Sequence, residues 1–260
     1  MTQTHGVSIE GSVVIKTYVA TDRDEHLREW AALRAISALD ADLVPTPLEL
    51  VAGPSLSMSL VPGRPLAGVL SQPELDGLEE ALRTLWSLPT DGVLRSQLPA
   101  FIERVRGAAA AFAEEAIGEN AHPAEHTVAE AHFAAVSWLA GSELDRLLEP
   151  APAVIGHGDP NLANYLWDGK RVRIVDFEDS GVSDVAVELA NLAEHLSARQ
   201  TDWTAFLTRF EVDPQRLLTA RKLWSIFWLT LLRPGGPSFL RNPPGTDTEQ
   251  AKRVLTTLAH

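Results

Sequence analysis

The sequence predicts an α+β protein in two unequal lobes: a small sheet-plus-helix unit over residues 1–61 and a larger, mainly helical unit over 62–260. Three observations predict it. A β-branched and aromatic run, Ser12-Val13-Val14-Ile15-Lys16-Thr17-Tyr18-Val19, opens the chain. Beyond residue 70 the apolar residues recur at helical spacing. A single stretch, near 154–175, interrupts that spacing with short strand-like runs.

Taken in order, residues 7–19 are β-like, with Gly11 placed to make a turn or bulge. Thr21 or Asp22 stands where a helix over 23–39 needs a cap, and Leu27, Trp30, Leu33 and Ile36 form its apolar stripe. Pro45 and Pro47 end that element. Residues 48–61 read as two short strands around Gly53-Pro54, and Val61-Pro62-Gly63-Arg64-Pro65 as a linker. Helices are expected over 73–87, 98–117, 124–148, 184–198, 202–210, 213–232 and 246–258. Among them, Val154-Ile155 leads into a polar loop. Tyr165-Leu166-Trp167 and Val172-Arg173-Ile174-Val175 then form two strands that turn at Asp168-Gly169.

Composition bounds the function. The 260 residues are 45% hydrophobic and 22% charged, which suits a folded chain with a sizeable core. No cysteine is present, so a disulfide scaffold, a thiolate metal site and a cysteine nucleophile are excluded. Twenty-two basic against 35 acidic residues leave a net charge of −13. Nucleic acid and anionic membranes need clustered cations, so neither is an expected partner, whereas a cationic small molecule is attracted. No apolar run reaches the roughly 18 residues of a membrane span. Met1-Thr2-Gln3-Thr4-His5 lacks the basic-then-apolar pattern of a secretory signal. The expected location is the cytoplasm, as a monomer or homodimer. His122, His126 and His132 have loose helical spacing without an adjoining carboxylate pattern, which argues against zinc.

The chemistry lies in His157-Gly158-Asp159-Pro160-Asn161-Leu162-Ala163-Asn164, followed by Val175-Asp176-Phe177-Glu178. Phosphoryl transfer asks for such groups. A carboxylate orients the attacking hydroxyl and accepts its proton, while an amide oxygen and a second carboxylate hold magnesium against the phosphates. Magnesium takes few hard oxygen ligands from protein, and one Asn with one Asp suffices. Upstream, Lys16 sits in an apolar strand, where a lone ammonium is costly without a partner. Glu29 and Glu25, one helical turn apart on the next helix, are both candidates to pair with it. The bland alternatives are a turn role for Asp159 ahead of Pro160 and an exposed place for Lys16 on a half-buried strand.

The motif His157-x-Asp159-x4-Asn164, with Asp176-Phe177-Glu178 beyond it, resembles that of the aminoglycoside phosphotransferase family of kinase-like small-molecule phosphotransferases. Asp184 and Glu188-Leu189-Ala190 are similar to that family's following segment, with Glu in place of Asp. The resemblance implies a bilobal protein-kinase-like fold, with residues 1–61 as the nucleotide-binding lobe and 62–260 as the catalytic and substrate lobe. It implies Asp159 as catalytic base, His157 as support of the loop, Asn164 and Asp176 as magnesium ligands, and Lys16 paired with Glu29 on the phosphates. It places Met58 beside the base and the backbones of Ser59 and Val61 on its edge, where a plain strand and Pro-Gly turn would look the same. ATP or GTP is the implied co-substrate and the hydroxyl of a small molecule such as an aminoglycoside or amino-sugar the implied acceptor, which makes antibiotic resistance an implied role. Asp179 is a candidate contact for a substrate amine, or else a solvated loop charge. Trp224 and Trp228, at i and i+4, are an aromatic wall or simply the packed face of a helix.

Two departures stand out. Only fifteen residues precede Lys16, and Gly6 and Gly11 form no G-x-G-x-x-G pattern, so the phosphate-covering loop is expected to be shortened or absent. That leaves a second expectation, a kinase-shaped protein that holds nucleotide with weak or no turnover. The C-terminal helices match no pattern that assigns a substrate.

Overall fold

The computed structural model describes residues 5–19, 24–90, 98–113 and 123–260. Thr21, Asp22, His122, residues 114–117 and the first four residues lie outside that range. The β-like run over 7–19 divides into β1 (Gly6–Glu10) and β2 (Val13–Thr17), turning at Gly11-Ser12. Gly11 has φ +62°, a conformation that glycine adopts without steric cost. Next come α1 (Glu25–Ser37), β3 (Pro47–Val51) and β4 (Ser55–Ser59). The four strands form one antiparallel sheet in the order β1-β2-β4-β3. Lys16 lies opposite Leu56, and Val14 opposite Met58, so these four residues share one face. The expected helix over 23–39 begins at Glu25, behind Asp24 at φ 51°.

The larger part holds seven helices among the described residues. They are α2 (Gln72–Ser87), α3 (Leu98–Ala113), α4 (Pro123–Leu139), α5 (Val185–Glu194), α6 (Thr204–Leu207), α7 (Pro214–Leu232) and α8 (Thr246–Leu258). Local chemistry starts several of them. Ser71 and Glu74 cap α2 reciprocally, Asp184 caps α5 by accepting the Val187 N–H, and Asp213 with Pro214 opens α7. The expected helix over 124–148 stops at Leu139, and a separate 3₁₀ turn occupies Glu143–Leu147, with Gly141 at the break. Among the described residues, no helix is long and apolar enough to cross a membrane.

Five short strands carry the interrupting stretch. β5 (Arg64–Pro65), β7 (Tyr165–Trp167) and β8 (Val172–Ile174) form one sheet, while β6 (Val154–Gly156) and β9 (Gly181–Ser183) form another. The β7–β8 hairpin closes one residue later than expected. The Asp168 N–H donates to the Arg171 carbonyl, and Gly169 takes φ +98°. Residues 157–164 therefore leave the end of β6, and Asp176 leaves the end of β8.

Two apolar clusters hold the molecule together. One unites Leu33 and Ile36 of α1, Leu56 and Met58 of β4, Leu78 and Leu85 of α2, and Phe177 and Phe206. It spans residue 61, so helices of the larger part support the small sheet. The second unites α3, α4, α7 and α8 through Ile102, Ala131, Leu223 and Val254.

His132 of α4 is 1% exposed, and burial, reinforced by the nearby Arg233 charge, pushes its pKa down to about 4. An unfolded histidine binds a proton near 6.5. Its contribution to stability is therefore complete above pH 6.5 and is lost as the pH falls towards 4. Urea melts at pH 7.5 and 4.5 should show wild type losing about 2.5 kcal/mol more than His132→Leu over that interval. Equal losses would mean that His132 is not held neutral in the fold.

Candidate active site

The loop after β6 is shaped by backbone constraints and buried anchors. Gly158 has φ +84°, and a Cβ there would sit 2.0 Å from the Asp179 carbonyl oxygen, so the loop and the 176–179 segment close on each other only through glycine. Nε2 of His157 donates to the Val175 carbonyl at 2.8 Å, and its ring packs on Tyr165 and Phe177. These contacts give the ring a fastening role between two loops. Below it, Oε2 of Glu188 accepts the His157 N–H at 2.9 Å. Burial raises the Glu188 pKa, while Ser183 and the His157 and Gly158 N–H groups oppose that rise. Nδ2 of Asn191 donates to the Gly158 carbonyl at 3.0 Å.

These anchors set the direction of Asp159. Nδ2 of Asn164 donates to the Asp159 backbone carbonyl at 3.0 Å and lies 3.4 Å from its Oδ2. Nε2 of His195 lies 3.3 Å from Oδ1. Burial alone would raise the Asp159 pKa. The opposing contacts, His195 first and then His157 and Asn164, hold it below the usual carboxylate range. The Val175 N–H donates to the Asn164 carbonyl at 2.9 Å, which sets Asp176 one residue beyond the Asn164 pairing.

Asp176, at φ 70°, in turn meets the small sheet. Nζ of Lys16 is 2.8 Å from Glu29 Oε2 and 2.7 Å from Glu178 Oε2, and it also donates to Asp176 Oδ1. Lys16 thus pairs with Glu29, while Glu25 faces His5 at 3.7 Å. Glu29 is fully buried and fully used: the Tyr18 hydroxyl donates to Oε2 and the Phe177 N–H to Oε1. Burial would lower the Lys16 pKa, but the three carboxylates outweigh it and hold the ammonium well above the usual lysine range. Burial and the Asp176 charge raise Glu178, against the pull of Lys16.

The remaining candidates fall on two sides. Met58, buried, is on the sheet face that carries Lys16. The Ser59 N–H donates to the Thr46 carbonyl at 2.9 Å, and Val61 is half-buried in the segment that follows. Asp179 and Asp159 line one cavity of about 470 Å³, walled by Phe101, Trp224, Phe227 and Trp228. Trp224 and Trp228 thus serve both readings of the tryptophan pair, since Trp224 also packs on Phe101 in the core. Glu178, Glu188, Asn191 and His195 were not assigned roles from the sequence. Glu178 and Glu188 stand within the segments that carry the family resemblance, and for Asn191 and His195 the signal is their spacing of three and seven residues from Glu188 along an apolar helix.

A magnesium ion fits the donor set here. With its Nδ2 spent on Asp159, Asn164 has its amide oxygen left to offer. The clustered oxygens of Glu29, Asp176 and Glu178 surround the Lys16 ammonium, which leaves the second oxygen of Asp176, Oδ2, to a metal. An amide oxygen and a carboxylate oxygen are the hard donors that magnesium takes.

A small sheet with a buried lysine–glutamate pair, facing a loop Asp–Asn and a second Asp, defines a kinase-like phosphotransferase. The chain belongs to the phosphotransferase enzyme family APH, whose sequence model matches residues 7–224, and it is a small-molecule kinase. None of the curated proteins matches it. Among solved structures it is similar to a choline/ethanolamine kinase family protein from Mesorhizobium loti, at 18% identity and TM-score 0.66, covering 99% of this chain and 86% of that one. Choline kinase LicA from Streptococcus pneumoniae aligns at 14% identity and TM-score 0.60, covering 100% and 90%. ADP-bound aminoglycoside phosphotransferase APH(2'')-Ib aligns at 15% and 0.61, covering 98% and 93%. At these identities the likeness concerns the fold, which is protein-kinase-like.

Proposed function

We propose that this kinase moves the γ-phosphate of ATP or GTP, with magnesium, to a hydroxyl of a small acceptor held in the aromatic-walled cavity. The observation that carries this is the place of Asp159: tied to Asn164 on one side and open to the cavity on the other. Asp159 orients the acceptor hydroxyl and takes its proton. Lys16 directs its charge onto the phosphates, with Glu29 holding it in line. Asn164 and Asp176 hold magnesium, which supplies neutralisation of phosphate charge when bound. Residues 1–61 form the nucleotide-binding lobe, with Met58, Ser59 and Val61 at the base, and residues 62–260 the acceptor lobe.

Aromatic faces beside Asp159 and Asp179 suit a cationic alcohol, such as an aminoglycoside, an amino-sugar or an amino alcohol. With an aminoglycoside as acceptor the activity is antibiotic resistance. The chain acts in the cytoplasm as a monomer or homodimer, and its net charge of −13 disfavours nucleic acid and anionic membrane as partners. A second reading, nucleotide binding with weak or no turnover, is favoured by one feature: the two-residue turn between β1 and β2 leaves no glycine-rich loop over the phosphates.

The test is ADP or GDP release from purified protein with magnesium and either nucleotide. It is run across aminoglycosides, amino-sugars and amino alcohols. At least one acceptor should raise release clearly above the acceptor-free rate. A flat panel with nucleotide still raising the melting temperature would favour the second reading.

A further inference from the structure

We infer that His195 is a positioning residue for Asp159, holding the carboxylate in the rotamer that faces the acceptor cavity; this rests on the kinase reading of Asp159. His195 ends α5 and begins a 3₁₀ turn over Leu196–Ala198. The backbone N–H of Ser197 donates to its Nδ1 at 3.1 Å, and the Ser197 hydroxyl lies 2.7 Å from the same atom. Nδ1 must therefore offer a lone pair, which puts the ring proton of the neutral imidazole on Nε2. Nε2 is the atom 3.3 Å from Asp159 Oδ1.

The ring's orientation does not depend on Asp159. Trp228 meets it edge-on, at 4.7 Å between centroids and 88° between planes. The corner that carries it is tied to the catalytic loop at two other points. Asn191, one helical turn earlier, donates to the Gly158 carbonyl at 3.0 Å, and the Ser197 hydroxyl oxygen accepts the Leu162 N–H at 2.9 Å. A donor fixed by its own surroundings is preorganised, so it fixes the carboxylate without reorganising during the reaction. With Asn164 beside Oδ2 and His195 beside Oδ1, each oxygen has its own polar neighbour. The acceptor hydroxyl then meets a carboxylate whose rotation is already restricted. His195 also lines the cavity, but the proposed role is exercised through Asp159.

The test compares His195→Phe with His195→Gln in the full chain. Phenylalanine keeps a ring against Trp228 and removes the donor; glutamine restores a donor at the reach of Nε2. With the best acceptor, His195→Phe should lower kcat roughly 30- to 100-fold, as expected when a reacting group is misplaced. KM for nucleotide and the melting temperature should stay near wild type, and His195→Gln should recover at least about fivefold in kcat. A kcat for His195→Phe within about threefold of wild type overturns the proposal. So does a loss carried wholly by the acceptor KM, which would make His195 a substrate contact. The ¹⁵N spectrum of the histidines reads the same geometry without turnover. An Nε2–H tautomer at His195 whose signal moves in Asp159→Asn supports the proposal. An Nδ1–H tautomer, or a signal indifferent to Asp159→Asn, overturns it. A wild type inactive with every acceptor would refute the kinase reading, while the spectrum would still judge the clamp.

Discussion

Asp159→Asn is expected to lower kcat by roughly 10³-fold, about 4 kcal/mol of transition-state stabilisation, at a far smaller cost to folding of about 1–2 kcal/mol. The asparagine keeps the size of the side chain and one oxygen towards the cavity, but it has no basicity for the hydroxyl proton. The change is not silent for its neighbours: His195 Nε2 and Asn164 Nδ2 each face a carboxylate oxygen, and the amide offers an oxygen to only one of them. Nucleotide affinity should change by no more than about threefold, because Asp159 faces the acceptor cavity, apart from the Lys16 cluster. Single-turnover ADP release and calorimetric nucleotide binding together check this. Turnover within tenfold of wild type would remove Asp159 from the chemistry.

Lys16→Met should act on stability and on catalysis together. The ammonium is 7% exposed and stands among Glu29, Asp176 and Glu178. Removing it leaves three carboxylates facing one another without a counter-charge, which costs about 3–5 kcal/mol and lowers the melting temperature by about 10 °C. Adding Glu29→Gln should recover part of that loss, since it removes one of the repelling charges. Phosphate binding should not return in the double variant. Thermal melts and nucleotide titration of the four proteins in the cycle measure both effects. A double variant no more stable than Lys16→Met would show that the lysine's surroundings are not strained by charge. The lysine itself stays protonated at all working pH. Its folded pKa is raised, so its contribution is complete below the unfolded value and is lost only on the alkaline side.

Much of this site could be read from the chain because its chemistry is local. His157, Asp159 and Asn164 occupy one loop, and the residue types that phosphoryl transfer needs are few. Lys16 was conspicuous as a charge in an apolar strand, and either Glu25 or Glu29 could have met it. The choice fell to packing. Ala32, Leu33 and Ile36 turn one face of α1 into the core, which carries Glu29 inward with them and leaves Glu25 beside His5. Several helices end short of expectation: α1 at residue 37, α4 at 139, α5 at 194 with a separate 3₁₀ turn over 196–198, and α6 at 207, all end effects that apolar periodicity does not record.

The sequence by itself determined the class of reaction, and it pointed to the 157–164 loop, to the strand lysine and to the unequal division into sheet and helices. Those follow from residue chemistry and from patterns a few positions long. Only the tertiary structure decided that Glu178 joins Glu29 on Lys16, that Glu188 and Asn191 hold the catalytic loop, and that His195 stands beside Asp159 at the edge of an aromatic cavity. Those contacts join residues 31 to 162 positions apart. Their geometry is set by how the two apolar clusters close, so no short pattern in the chain encodes it.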